Sequence, residues 1–172
     1  SRSSAASDVY KRQFQHTADY DTAISNWISK ERDLQSSKYI ESYSLIKTLR
    51  YGENPHQKAF WYGLTNIGWN SAEQLQGKEL SYNNLLDLES SLSTVLEFGY
   101  EEKDILTTNK YASVILKHNN PCGAAIGNSP SQAFINALEC DSISAFGGIV
   151  AFNSNVDSET AINLKDIFLE CV

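Results

Sequence analysis

Methionine is absent from the 172 residues, and cysteine and proline occur only three times each. No apolar run approaches the roughly 20 residues that a membrane-crossing helix needs, which argues against a helical membrane protein. A charged, then apolar, then small-residue leader is also missing, so no secretory signal is read. Cys122, Cys140 and Cys171 are widely spaced and odd in number, a usage that fits a reduced, cytoplasmic protein better than a disulfide scaffold. Basic residues are few: 14 against 21 acidic ones give a net charge of −7. That balance excludes the basic surplus expected of nucleic-acid binders and of proteins that adhere to anionic membranes. There is no Walker motif and no GxGxxG. Pro121-Cys122 resembles half of the zinc-deaminase Pro-Cys-x-x-Cys pattern, but Ala125 stands at the second cysteine position and no His-x-Glu occurs, so no metal site is predicted. The missing initiator, with the apolar ending Ile167-Phe168-Leu169-Glu170-Cys171-Val172 read as an unfinished helix, predicts a piece of a longer protein.

What remains is an ordinary globular composition, 41% hydrophobic and 20% charged, enough for one domain or one domain plus part of another. Charge is distributed unevenly. All four arginines (Arg2, Arg12, Arg32, Arg50) fall early, and the acidic excess lies later. Ser1 to Gln13 is small, polar and aperiodic and reads as a disordered or non-native leader. Tyr20, Ile24, Trp27 and Ile28 predict a short amphipathic helix, followed by a charged linker from Lys30 to Lys38. Residues 39–49 and 59–62 suit extended chain, separated by the Gly/Asn/Pro loop 50–57. The strongest helix runs from Asn83 to Phe98, with Leu85, Leu88, Leu92 and Val95 on one stripe and Gly99 at the position after the cap.

Residues 111–116 form an apolar, β-branched run suited to a strand buried on both faces, leading into a polar loop 117–123. Ser129-Pro130 opens a helix to about Cys140; 147–152 is a second buried strand; Asp157 or Ser158 caps a last helix carrying Ile162, Leu164, Ile167 and Phe168. Strands alternating with helices predict an α/β fold, a layered mixed or largely parallel sheet flanked by helices.

Two clusters could carry chemistry. Lys117-His118 leaves a dry strand, where ligands of open α/β sheets bind. Desolvation there can lower a lysine's pKa, and histidine titrates near neutrality. Adjacent residues on an extended chain diverge, so the pair reaches one reactant only if the backbone turns, as Asn119-Asn120-Pro121 suggests. On spacing alone the commoner meaning is a solvated strand end. Arg50-Tyr51 opens the second loop, where a guanidinium, a phenol and loop amides could hold an oxyanion or a planar heterocycle; the simpler reading is arginine stacked on tyrosine at the surface. Gly147-Gly148 either lets backbone approach a ligand or packs beneath a helix.

Four segments in order then become informative together: residues 49–57 (LRYGENPHQ), 75–84 (LQGKELSYNN), 117–123 (KHNNPCG) and 144–153 (SAFGGIVAFN). They resemble the bacterial bifunctional purine-biosynthesis family, which joins an IMP cyclohydrolase domain to an aminoimidazole-carboxamide ribotide (AICAR) formyltransferase domain. The resemblance implies that residues 14–39 are the end of the cyclohydrolase domain and linker. Residues 40–172 would then be the N-terminal part of a formyltransferase domain with a cytidine-deaminase-like fold. It implies formyl transfer from the co-substrate 10-formyltetrahydrofolate to the 5-amino group of AICAR, with Lys117 and His118 catalytic and Arg50, Tyr51 and Gly147 contacting AICAR. By the same resemblance, His118 takes the amine proton, and Lys117 stabilises the oxyanion or helps protonate the departing folate nitrogen. The parent is expected to be a cytoplasmic homodimer, with much of the folate site outside this stretch. A non-catalytic AICAR-binding fragment is the alternative; a zinc deaminase and a Schiff-base enzyme using Lys117 are weaker rivals.

Overall fold

The computed structural model describes residues 2–32, 38, 40–64, 67–99 and 111–172. It divides into two compact units, one of residues 1–48 and 60–75, the other of residues 49–59 and 76–172.

The first unit begins with helix α1, Arg2–Glu31. The expected amphipathic helix around Tyr20 to Ile28 lies within it, but helix also runs through residues 2–13, where a disordered leader was expected. Residues 2–13 include no proline and no glycine, and once the apolar turn after Thr17 is helical each upstream residue adds one bond at little nucleation cost. Asn26 Nδ2 donates to Ile40 O (3.1 Å) and Ser42 Oγ to Asp19 Oδ1 (2.6 Å), pinning the following segment to α1. Most of the predicted linker 30–38 lies outside the described residues. Strands β1 (Ser44–Thr48) and β2 (Phe60–Gly63) pair antiparallel, with a bulge between Leu45 and Lys47. A single 3₁₀ turn, Gly68–Ser71, follows.

The second unit holds the site. Its elements are α2 (Tyr82–Leu96), β3 (Tyr111–Lys117), β4 (Asn120–Gly127), α3 (Pro130–Cys140), β5 (Ile149–Phe152) and α4 (Ser158–Leu164). The sheet order is β4-β3-β5, with β3 central. Odd residues of β3 face one layer, where Ile115 packs with Phe134 and Ala137 of α3, Ala145 and Val150. Even residues Ala112, Val114 and Leu116 face Val95 of α2 and the half-buried Phe98. Helices thus cover both faces, and this is why β3 reads as a continuous apolar run rather than an alternating one.

The α/β class stands, but the sheet is not largely parallel: β3 pairs antiparallel with both neighbours. The strand–helix–strand unit is β4-α3-β5, whose strands do run the same way; β3 is inserted between them because a two-residue reversal joins it to β4. The one parallel pairing among the described residues is an isolated bridge between Ile149 and Cys171. The loop expected at 117–123 is therefore mostly strand. The expected last helix also stops early, at Leu164, because residues 168–171 turn to bond along the 147–150 segment. Gly147 N donates to Phe168 O (2.8 Å), Glu170 N to Gly148 O (2.9 Å) and Val150 N to Cys171 O (3.1 Å).

Candidate functional site

Helix α2 organises one side of the site. Ser81 caps it: its hydroxyl accepts from Asn84 N, while the Asn84 side chain accepts from Ser81 N (2.9 Å), a capping box buried in the unit. The same cap holds the loop of Arg50 and Tyr51, since Arg50 N donates to Leu80 O (2.9 Å) and Tyr82 N to Tyr51 O (3.1 Å). Asn83 Nδ2 reaches Glu53 O (3.0 Å) farther along that loop. Leu49 is buried just before it and anchors the turn.

The Arg50 guanidinium lies 4.9 Å from the Tyr51 ring centroid, and its Nη2 is 3.2 Å from the phenol oxygen. The same Nη2 stands 3.6 Å from Glu170 Oε2. This is the arginine-on-tyrosine stack that spacing alone suggested, with a carboxylate added. The pair is about one-third exposed, so it orients the guanidinium rather than contributing much stability.

Gly147 sits at φ +74°, a backbone conformation that side-chain-bearing residues resist, and donates to the strip that carries Glu170. The neighbouring rings Phe146 and Phe168 are 5.5 Å apart. Lys117, the last residue of β3, sends Nζ to Phe146 O (2.8 Å). Lys117, Phe146-Gly147-Gly148, Glu170, Arg50 and Tyr51 therefore form one unbroken series of contacts or chain neighbours, with Phe168 held on Gly147 beside it. Four of the five residues singled out from sequence belong to it.

His118, the fifth, is next in the chain but lies in the reversal between β3 and β4. The strands pair as far as Lys117 with Asn120, leaving His118 (φ 53°) and Asn119 (φ 59°) as a two-residue turn with the left-handed pair of a type I′ reversal. The backbone does turn directly after Lys117, as the functional reading of that pair requires, though one residue earlier than Asn119-Asn120-Pro121 implied. The His118 side chain is exposed, and its carbonyl accepts from Asn120 Nδ2 (2.8 Å). A bulge follows, Ile115 pairing with Gly123 and Leu116 with Pro121, so that Cys122 is the extra residue.

Charge is concentrated here. Burial pushes the Cys171 thiol up to about 11, the Glu170 charge adding to the rise and Arg50 opposing it. Cys122 is also raised, by burial first and by Asp141 next, with Lys117 acting in the opposite direction. Asp87 raises both thiols and so lies within the field of both ends of the site.

Sequence reasoning missed Glu170 and Asp87. Glu170 is a lone charge in an apolar hexapeptide, a signal that it faces something polar, whereas Asp87 shares α2 with Glu89 and lies off the leucine stripe, so nothing in the sequence singled it out. Cys122, Cys140 and Cys171 are unpaired thiols. No group of three metal-ligating side chains comes together, and no helix is long and apolar enough to cross a membrane, among the described residues.

Comparison with known proteins adds a second line of evidence. A family described as AICARFT/IMPCHase bienzyme matches residues 2–172. Proteins named bifunctional purine biosynthesis protein PurH are similar to this chain. The one from Prochlorococcus marinus subsp. pastoris is 91% identical over 159 residues, 92% of this chain and 31% of its own length. Those of strains MIT 9312 and NATL2A are 86% and 54% identical, covering 96% and 95% of this chain and 33% and 32% of theirs. The chain thus spans about a third of the length of the curated relatives it matches. The match over nearly every residue, with the four motifs, all but Leu75, gathered in one unit, leads to one conclusion: the chain belongs to the AICARFT/IMPCHase bienzyme family.

Proposed function

We propose that this chain carries part of the formyl-transfer centre of de novo purine (IMP) biosynthesis: a formyl group passes from 10-formyltetrahydrofolate to the 5-amino group of AICAR. The parent protein would also cyclise formyl-AICAR to IMP. The observation that supports this most directly is the contact series running from Lys117 through Phe146-Gly147-Gly148 and Glu170 to Arg50 and Tyr51.

In this reading Arg50, Tyr51 and the exposed backbone at Gly147 hold AICAR, the guanidinium meeting its anionic or carboxamide oxygen atoms. The AICAR amine is conjugated with ring and carboxamide and is a weak nucleophile. As its nitrogen bonds to the formyl carbon, His118 removes its proton. The Lys117 ammonium, steered by the Phe146 carbonyl, faces the developing oxyanion and supplies a proton as the bond to the folate nitrogen breaks. A positioned base contributes roughly 10²–10⁴-fold. Unpaired thiols suit the reducing cytoplasm as the setting. Large exposed apolar side chains such as Leu75 (85%) and Ile143 (88%) suit a parent homodimer, which sedimentation of the full-length protein would test.

In a full-length bienzyme carrying this sequence, His118→Ala should lower kcat by roughly 10²-fold or more with AICAR affinity retained. Near-normal turnover by that variant would remove the base assignment. Because the chain spans about a third of its relatives, the second reading is binding without turnover. Titration of the isolated chain with AICAR checks it, and heat without product would favour it.

A further inference from the structure

His118 and Asn119 occupy consecutive left-handed positions, a backbone that residues other than glycine resist and that persists only where neighbours hold it. The neighbour that holds it is α2. Asn119 N donates to Asp87 Oδ1 at 2.7 Å, a short, charge-assisted bond. The Asn119 side-chain amide meets Leu86 O at 3.1 Å, Asp87 Oδ1 at 3.3 Å and Ser90 Oγ at 2.9 Å. Two of these partners can only accept, so the amide nitrogen faces the helix. One carboxylate therefore takes up both the backbone and the side-chain donor of the residue after His118. It does so from the helix whose cap, five to seven residues earlier, fixes Arg50 and Tyr51.

We propose that Asp87 is a positioning residue for His118: it locks the hairpin tip to α2 and so sets the imidazole at a fixed distance from the arginine–tyrosine arm. The proposal rests on the formyl-transfer reading, and deepens it. Asp87 touches the turn rather than the reactants, so its loss should disturb the step that uses His118 and leave AICAR capture through Arg50, Tyr51 and Gly147 intact. A misplacement near 1 Å costs about 10²-fold in rate.

The test is steady-state kinetics of a full-length bienzyme carrying this sequence, with Asp87→Ala, Asp87→Asn, His118→Ala and the Asp87→Ala/His118→Ala double variant. Asp87→Ala should lower kcat for formyl transfer roughly 10–100-fold with the KM for AICAR changed little. Asp87→Asn keeps an oxygen that accepts from Asn119 N and should recover most of the rate. The double variant should be no slower than His118→Ala alone, because Asp87 acts through His118. Full turnover by a folded Asp87→Ala protein, or additive losses in the double variant, would overturn the proposal while leaving the base assignment in place. Full turnover by His118→Ala would remove the base assignment and this proposal together. Should Asp87→Ala not fold, Asp87→Ser reads the same quantity, since its shorter side chain falls short of the Asn119 N–H. If neither folds, Asp87 is a folding residue and the proposal fails.

Discussion

At the scale of single residues, Gly147 and Cys171 carry the sharpest consequences. A Cβ on Gly147 would meet only the Phe168 ring at 3.9 Å, an ordinary contact, so Gly147→Ala is opposed by its φ of +74° and not by space. The variant should lose about 1–2 kcal/mol, read as a lower denaturant midpoint; an unchanged midpoint would mean that the turn relaxes freely. Cys171 ionises more reluctantly folded than unfolded. Its contribution to stability is therefore present below the ordinary thiol range and fades as pH rises toward about 11. Between pH 9 and 11 the wild type should lose stability faster than Cys171→Ala, and parallel pH–stability curves would contradict this. Arg50, Lys117 and Gly147 were legible because arginine, lysine and glycine advertise their chemistry. Asp87 and Glu170 were not: their partners lie 32 and 120 positions away, at Asn119 and Arg50, and only the folded chain makes the pairs.

At the scale of elements, what sequence disclosed depended on whether the determinant was local. Helix α3 begins at Pro130 with the Ser129 hydroxyl accepting from Gln132 N, as its cap pattern predicts; α2 ends sooner than expected, at Leu96 with Glu97 as its C-cap, and Gly99 follows two residues later at φ +75°. Strand β4 was illegible because its residues are chosen for thinness: a Cβ on Gly123 would fall on the Ala137 carbonyl oxygen and one on Gly127 against Ala133 N. Small residues of low strand propensity are the condition for α3 to lie so close, and a local scan reads them as loop. Gly123→Ala should therefore cost about 1–3 kcal/mol or prevent folding; wild-type thermal stability would show that α3 moves away easily. Ser81→Ala removes the hydroxyl of a buried capping box and should cost about 1 kcal/mol, measured by chemical denaturation. The α4 ending failed for the opposite reason: Ile167 and Phe168 keep helical spacing, but backbone bonding to 147–150 overrides it.

At the scale of the whole molecule, the chain leaves its first unit at Leu49, returns at Phe60 and leaves again at Gln76. The loop bearing Arg50 and Tyr51 thus belongs to the second unit although the residues on either side of it in sequence belong to the first. Replacing residues 50–58 with a short Gly-Ser turn should preserve the β3–β4–β5 core, since none of its cluster residues lies in that loop, and, on the proposed formyl-transfer reading, abolish AICAR retention. Circular dichroism and calorimetric titration together would check it, and retained binding would move the substrate arm elsewhere.

The tip that holds His118 has a genetic implication. A two-residue reversal is the shortest that joins antiparallel neighbours, so it has no slack to absorb added length. One inserted codon would either swell the tip away from Asp87 or slide β4 by a place, turning Gly123 and Gly127 outward and pressing bulkier side chains into α3. Deletion would leave too little chain to reverse at all. Length variation among descendants of this gene should accordingly accumulate elsewhere, and the span from Lys117 to Asn120 should keep its number of residues.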